Sequence, residues 1–106
     1  MLVSASVDLY LKEVATSLGF DHLVCTRAAL DPTPHLLGPN CRGEEKVRRL
    51  DREPFCWTIR WEDSWGYGDS LADRPLLERC GNPVAVRPGR GLMRHSRQSG
   101  WRIWRW

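Results

Sequence analysis

Two short apolar runs bracket an amphipathic stretch at the start of the chain. That alternation constrains the fold more than any other feature of the sequence. Leu2-Val3 reads as a strand, and His22-Leu23-Val24-Cys25-Thr26-Arg27 as a second, buried one. Between them Val7, Tyr10, Leu11, Val14, Ala15 and Leu18 recur at steps of three and four, the period of one helix face. Ser6 stands where a helix cap belongs, and Gly19 where the helix should stop. Strand, helix and strand within about thirty residues form a βαβ unit with parallel strands and a right-handed crossover. Asp31-Pro32-Thr33-Pro34 breaks this pattern, and His35–Pro39 reads as a loop or a short extended piece.

The pattern returns further on. Gly43–Leu50 opens a charged helix in which Glu45 and Arg49 form an i, i+4 pair and Val47 and Leu50 point inward. Lys46 lies between those two, and its plain reading is a solvated surface lysine. Glu53-Pro54 stops the helix. Phe55–Trp61 reads as an edge strand or a hydrophobic loop. Trp65-Gly66-Tyr67 closes a strand, and Leu71, Leu76, Leu77 and Cys80 form a helix with Pro75 in its first turns. Val84-Ala85-Val86 is a buried strand. Leu92, Met93 and His95 belong to a short helix, and Trp101–Trp106 to a last extended piece. The expectation is an α/β fold with a mostly parallel sheet, its core including Val3, Val14, Leu18, Val24, Tyr67, Leu77 and Val86.

Two places in this frame can carry chemistry. Asp69 falls at the carboxyl end of the strand around Tyr67, with Asp73 one helical turn on. Open α/β sheets hold ligands at such strand ends. Mg²⁺ takes one or two carboxylates and completes its shell from water and phosphate. The same residues also suit a plain helix start, with Asp69 or Ser70 as cap and an acid in the first turn. Ser4 stands where the first strand turns into helix, so backbone N–H groups there favour an anion. The plain reading of Ser4 and Ser6 is that both are capping residues.

Three segments in order carry a family resemblance. Gly68-Asp69-Ser70-Leu71-Ala72-Asp73 resembles the GDxxxD loop that is the last motif of the haloacid dehalogenase (HAD) phosphatases. Leu2-Val3-Ser4-Ala5-Ser6 resembles motif II, and Gly43-Glu44-Glu45-Lys46-Val47 resembles motif III. The wording Gly38–Val47, and the run Gly81–Val86, are similar to the phosphoserine phosphatase-like branch. The resemblance implies a HAD-like (Rossmann-like) three-layer sandwich and Mg²⁺-dependent hydrolysis of phosphoric monoesters. It implies that Ser4, Ala5 and Lys46 hold phosphate. Asp69 would bind Mg²⁺, and Asp73 would orient Lys46 or a metal-bound water, or share the metal, so that Lys46 and Asp73 serve catalysis. The elements carrying Ser4, Lys46, Asp69 and Asp73 would converge on one edge.

One motif of the family is missing. Its nucleophile lies in a DxDx[TV] strand, and no two Asp residues here stand two apart. In the family that strand is central, so its absence leaves the strands around Val3 and Tyr67 with unpaired edges or makes them pair directly. The expectation is a partial core domain over residues 1–106, incomplete at the N-terminus and equivalent to motifs II to IV, with little activity by itself. The alternative is a non-catalytic interaction or pseudoenzyme fragment that completes another chain, one supplying the missing part. The resemblance implies a small phosphorylated molecule as substrate.

Composition narrows the partners. The net charge of +3 conceals six Arg and no acid in residues 87–106, a basic, Trp/Arg-rich segment of the same domain. Arg87, Arg90, Arg94, Arg97, Arg102 and Arg105 with Trp101, Trp104 and Trp106 can contact single-stranded nucleic acid, but no nucleic-acid-binding motif accompanies them and this is not the expected function. No stretch approaches the roughly 20 apolar residues of a membrane span. The N-terminus lacks a basic run and Asp8 interrupts its apolar start, so no leader is expected. Cys25, Cys41, Cys56 and Cys80 show no C-x-x-C spacing. They read as reduced thiols in a cytoplasm.

Overall fold

The computed structural model describes residues 1–30 and 33–105. Asp31 and Pro32 of the expected break, and Trp106 of the expected final extended piece, lie outside the described residues. The chain divides into two compact units, Met1–Arg52 and Glu53–Trp106. No helix among the described residues is long and apolar enough to cross a membrane.

The first unit is the βαβ unit expected from the sequence, extended by a hairpin and a helix. β1 (Leu2–Val7) leads into α1 (Asp8–Ser17) and returns as β2 (Leu23–Thr26). β1 and β2 are parallel, with Leu2 opposite Leu23 and Val3 opposite Val24. The short extended piece at His35 is β4 (His35–Leu36), antiparallel to β3 (Ala28–Ala29). α2 (Glu44–Asp51) then packs against both β1 and β2. Leu11 and Ala15, one turn apart on α1, are buried, as are Val24, Cys25, Cys41 and Leu50. The rest of the expected α1 stripe is not core. Tyr10 and Val14 are exposed and Leu18 is 68% exposed. A ten-residue helix against a two-stranded ladder buries a narrow i, i+4 seam, and the flanks of a wider apolar stripe stay in water.

The second unit begins with two 3-10 turns, Pro54–Thr58 and Trp61–Asp63. The edge strand considered for Phe55–Trp61 is therefore absent; Pro54 at the first position of the turn favours the tight helix. β5 (Trp65–Gly68), β6 (Asn82–Val86) and β7 (Arg102–Trp104) form a fully parallel sheet in that order. Tyr67 lies opposite Val84, and Val84 opposite Arg102. A 3-10 turn (Leu71–Asp73) runs into α3 (Arg74–Leu77), and α4 (Arg90–Ser99) connects β6 to β7. Leu77, Ala85 and Leu92 form the core, with Trp101 and Ile103 packed against it. Burying each such leucine contributes about 1.5–3 kcal/mol. Tyr67, an expected core residue, is exposed: along β5 the half-buried positions are Gly66 and Gly68, so Trp65 and Tyr67 face the other way. Val3 and Val86 are half-buried; Val24 and Leu77 are core as expected. β1 pairs with β2 alone, and β5 with β6 alone, among the described residues.

Candidate functional site

In the first unit, Ser4 does not sit at a strand-to-helix turn. β1 continues to Val7, and the register jumps: Val3 faces Val24, but the next aligned pair is Val7 with Thr26. Three residues, Ser4, Ala5 and Ser6, therefore oppose one, Cys25. This is a bulge, which takes residues out of the ladder and bends the strand. The Ser6 N–H donates to Ser4 Oγ (3.1 Å), which holds the bulge. Ser6 is not the helix cap. The N-cap is Val7, with no side-chain cap hydrogen bond. Asp8, in the first turn, accepts from the Ala28 N–H (3.1 Å) and so ties α1 to β3.

Lys46 lies in the first turn of α2 and is only 8% exposed, so the solvated-lysine reading does not hold. Its N–H donates to the Gly43 carbonyl (3.1 Å). Gly43, the N-cap, has φ +60° and ψ −130°, a region closed to residues with a Cβ. The ion pairs of α2 also differ from the sequence reading. Arg48, not Arg49, meets both Glu44 (3.5 Å) and Glu45 (3.4 Å). Glu45 Oε1 is buried without a hydrogen-bond partner.

In the second unit, Asp69 follows the last residue of β5 and is exposed at its carboxyl end. Asp73 Oδ2 accepts from the Asp69 N–H (3.1 Å), the Ser70 N–H (3.3 Å) and the Ser70 hydroxyl (3.4 Å). Ser70 and Asp73 thus form a reciprocal capping box. The plain reading of this loop is correct for Ser70, and it leaves the Asp69 carboxylate facing water. The Asp69 carbonyl accepts from the Gly89 N–H (3.0 Å), which fixes the loop to the turn before α4. Gly68 is needed for close approach: a Cβ there would lie 2.8 Å from Asp73 Oδ2. Gly68→Ala should therefore displace the Asp73 carboxylate and lose the box, costing about 1–3 kcal/mol. Urea unfolding followed by Trp fluorescence would read that loss.

These donors suit a hard cation in part. The exposed Asp69 carboxylate falls within the one or two that Mg²⁺ takes, while Asp73 Oδ2 is already filled by the loop's own donors. No group of three or more His, Cys, Asp or Glu suited to a metal occurs among the described residues.

The cysteines are all free thiols. Burial pushes Cys25, Cys41 and Cys80 above the ordinary thiol range, which keeps them protonated and unreactive. Because the folded pKa is raised, this contribution to stability is present below the unfolded thiol pKa and fades as pH climbs through the folded one. Iodoacetamide at pH 8 should label these three slowly in the native protein and quickly in urea, by mass spectrometry. Equal rates would contradict the burial.

The second unit is a short parallel sheet joined through helices, with an acidic Gly-Asp loop at one strand's carboxyl end, an α/β arrangement. Residues 1–78 match the haloacid dehalogenase-like hydrolase family, and the chain belongs to it. It is 29% identical over 105 residues to "Probable phosphatase Rv3661" of Mycobacterium tuberculosis, covering 97% of this chain and 37% of that protein. It is 38% identical over 81 residues to "Protein CicA" of Caulobacter vibrioides, covering 73% of this chain and 35% of that one. A crystal structure of a protein of unknown function from Bordetella pertussis superposes with a TM-score of 0.79 at 28% identity, over 96% of this chain and 48% of that one. A HAD family hydrolase from Salmonella enterica serovar Typhi shares the fold, with a TM-score of 0.74 at 17% identity over 87% of this chain and 33% of that one. The chain thus spans a little over a third of the length of the curated relatives named here.

The sequence reading missed the register jump at Ser4–Ser6 and a buried hydroxyl, Thr26, that holds the loop before α2. A threonine in an apolar run looks like any β-branched strand residue, so only its partners give it away.

Proposed function

We propose that this chain is the phosphate- and Mg²⁺-handling part of a phosphomonoesterase of the phosphoserine phosphatase-like branch, with residues 1–106 a partial core domain and 87–106 belonging to it. The observation that carries this reading is the Gly68–Asp73 loop in a chain of this family: an exposed Asp69 at the end of β5, with Asp73 holding the loop's own N–H groups. Ser4 and the Ala5 N–H would hold phosphate oxygens. The Lys46 ammonium would neutralise charge that develops as phosphoryl moves. Asp69 would ligate Mg²⁺, and Asp73 would keep the loop in shape and orient Lys46 or share the metal, as the family resemblance implies. When bound, Mg²⁺ supplies electrostatic stabilisation of the phosphoryl oxygens. The DxDx[TV] pair is absent from these 106 residues, so the attacking carboxylate would come from outside them, and the substrate would be a small phosphorylated molecule.

Asp69→Ala should weaken Mg²⁺ binding at least tenfold in an NMR-followed titration, whereas Asp63→Ala, whose carboxylate pairs with Arg60 at 3.0 Å, should leave it unchanged. Equal effects of the two changes would remove the metal assignment. A second reading has one observation in its favour. Arg102 stacks over Trp65 at 5.1 Å and Tyr67 meets Trp104 at 5.5 Å, so exposed aromatics of β5 lie beside Arg102 and Trp104 of the basic segment. Such a cluster can take single-stranded nucleic acid, and salt-insensitive or absent oligonucleotide binding would dismiss it.

A further inference from the structure

Thr26 ends β2 and is 1% exposed. Its hydroxyl meets three groups from two segments, the β1 bulge and the Asn40-Cys41 stretch before α2. It lies 2.7 Å from the Ala5 carbonyl in the β1 bulge and 2.9 Å from the Asn40 side-chain oxygen position, and it accepts from the Cys41 N–H at 2.8 Å. A hydroxyl has one proton and two lone pairs. The proton goes to the nearer acceptor, the Ala5 carbonyl. The second lone pair is then filled when the Asn40 amide turns its NH₂ toward Oγ1, an orientation that hydrogen-bonding partners decide. In that arrangement the hydroxyl is fully used and no water is needed.

The consequence lies in what these partners carry. Ala5 is the middle residue of the bulge that contains Ser4. From Cys41 the chain runs directly into the first turn of α2: the Arg42 N–H donates to the Asn40 carbonyl (2.8 Å), the Glu45 N–H to the Arg42 carbonyl (3.2 Å), and the Lys46 N–H to the Gly43 carbonyl (3.1 Å). Hydrogen bonds and the short stretches of backbone between them thus lead from the Ser4–Ser6 bulge, through one buried hydroxyl, to the turn that bears Lys46. Cys41 beside it is fully buried, so the junction has no slack.

We infer that Thr26 is a positioning residue: its hydroxyl sets the Ser4–Ala5 bulge and the Lys46 turn in one fixed relation, so that both can hold the same phosphate. The inference rests on the phosphate reading above, in which Ser4, Ala5 and Lys46 are the binding groups. Thr26 touches no phosphate itself. Removing the hydroxyl while keeping the shape, as in Thr26→Val, strands a carbonyl and an N–H in a dry interior and frees the two segments to move apart. Thr26→Ser keeps the hydroxyl and loses one methyl.

The test is a titration of the 106-residue chain with inorganic phosphate, followed by backbone amide NMR, together with hydrogen exchange of the Cys41 N–H. In the unsubstituted chain, Ser4, Ala5 and Lys46 amides should shift together with one dissociation constant. Thr26→Val should weaken binding about tenfold and expose the Cys41 N–H to exchange, and Thr26→Ser should restore both. A folded Thr26→Val that binds phosphate as well as the unsubstituted chain overturns the inference. If Thr26→Val does not fold, Asn40→Ala, at an exposed position, takes its place: two- to fivefold weaker binding, by roughly one lost neutral hydrogen bond, supports the inference and unchanged binding overturns it. If the unsubstituted chain shows no phosphate-dependent shift, the phosphate reading fails on its own. The positioning role is then decided without ligand, by whether the Ala5 and Lys46 resonances both move in Thr26→Val and return in Thr26→Ser; if only residues adjoining 26 move, the role is refuted.

Discussion

Purified as it stands, the 106-residue chain should show little or no turnover of an aryl phosphate in the presence of Mg²⁺. The reason is chemical. Transfer by the family's route needs a carboxylate in line with the phosphorus, and covalent catalysis fails without its nucleophile. None of the seven Asp residues has another two positions away, so the DxDx[TV] pair is not in this sequence. Two of the carboxylates near the candidate segments are already hydrogen-bonded within the fold. Asp73 Oδ2 takes three donors of its own loop. Asp8 accepts from the Ala28 N–H. Asp69, as a metal ligand, would direct its lone pairs at the cation. Phosphate-binding and charge-stabilising groups leave residual catalysis when a nucleophile is removed, but it lies orders of magnitude below an intact enzyme. Turnover near 1 s⁻¹, ordinary for enzymes, and lost in Asp69→Ala, would mean that one of these carboxylates is the nucleophile after all.

The second large effect concerns stability. Leu77→Ala should destabilise the second unit by about 2–5 kcal/mol, the range for deleting a buried leucine where the cavity cannot collapse. Leu77 is fully buried against Ala85 and Leu92, which are fully buried too. A small domain has only about 5–15 kcal/mol in total. With a urea slope of about 1–3 kcal/mol/M, the midpoint should fall by roughly 1–5 M. Trp57→Ala, at a 90% exposed position, should change stability by no more than about 0.5 kcal/mol. A midpoint for Leu77→Ala matching that of Trp57→Ala would show that the core is elsewhere.

How far the sequence foretold this follows from what each signal depends on. The βαβ start, the strand at Trp65, α3 with Pro75 in its first turn and the β6–α4–β7 order all follow from hydrophobic period and from Gly and Pro punctuation, which are local. What failed depends on partners. The Ser4–Ser6 bulge is a property of register against β2, and no residue within β1 announces it. Val14, Leu18 and Tyr67 are apolar at the right spacing, yet burial depends on what lies opposite. The aromatic run Phe55–Trp61 has strand propensity but folds as 3-10 turns behind Pro54. At the candidate residues, the Gly-Asp loop was legible because a strand end, a glycine and a capping pair all speak locally. Thr26 was not, because a hydroxyl's role lies entirely in the three groups it meets.

The most direct measurement of the central claim is complementation. The chain would be mixed with a separately purified polypeptide carrying a DxDx[TV] strand, and Mg²⁺-dependent hydrolysis of an aryl phosphate followed. The account predicts turnover from the mixture that neither component shows, lost with Asp69→Ala or Lys46→Ala in this chain and lost when the first Asp of the added motif is changed to Asn. Turnover by this chain without the added strand, or turnover in the mixture that survives Asp69→Ala and Lys46→Ala, would contradict it.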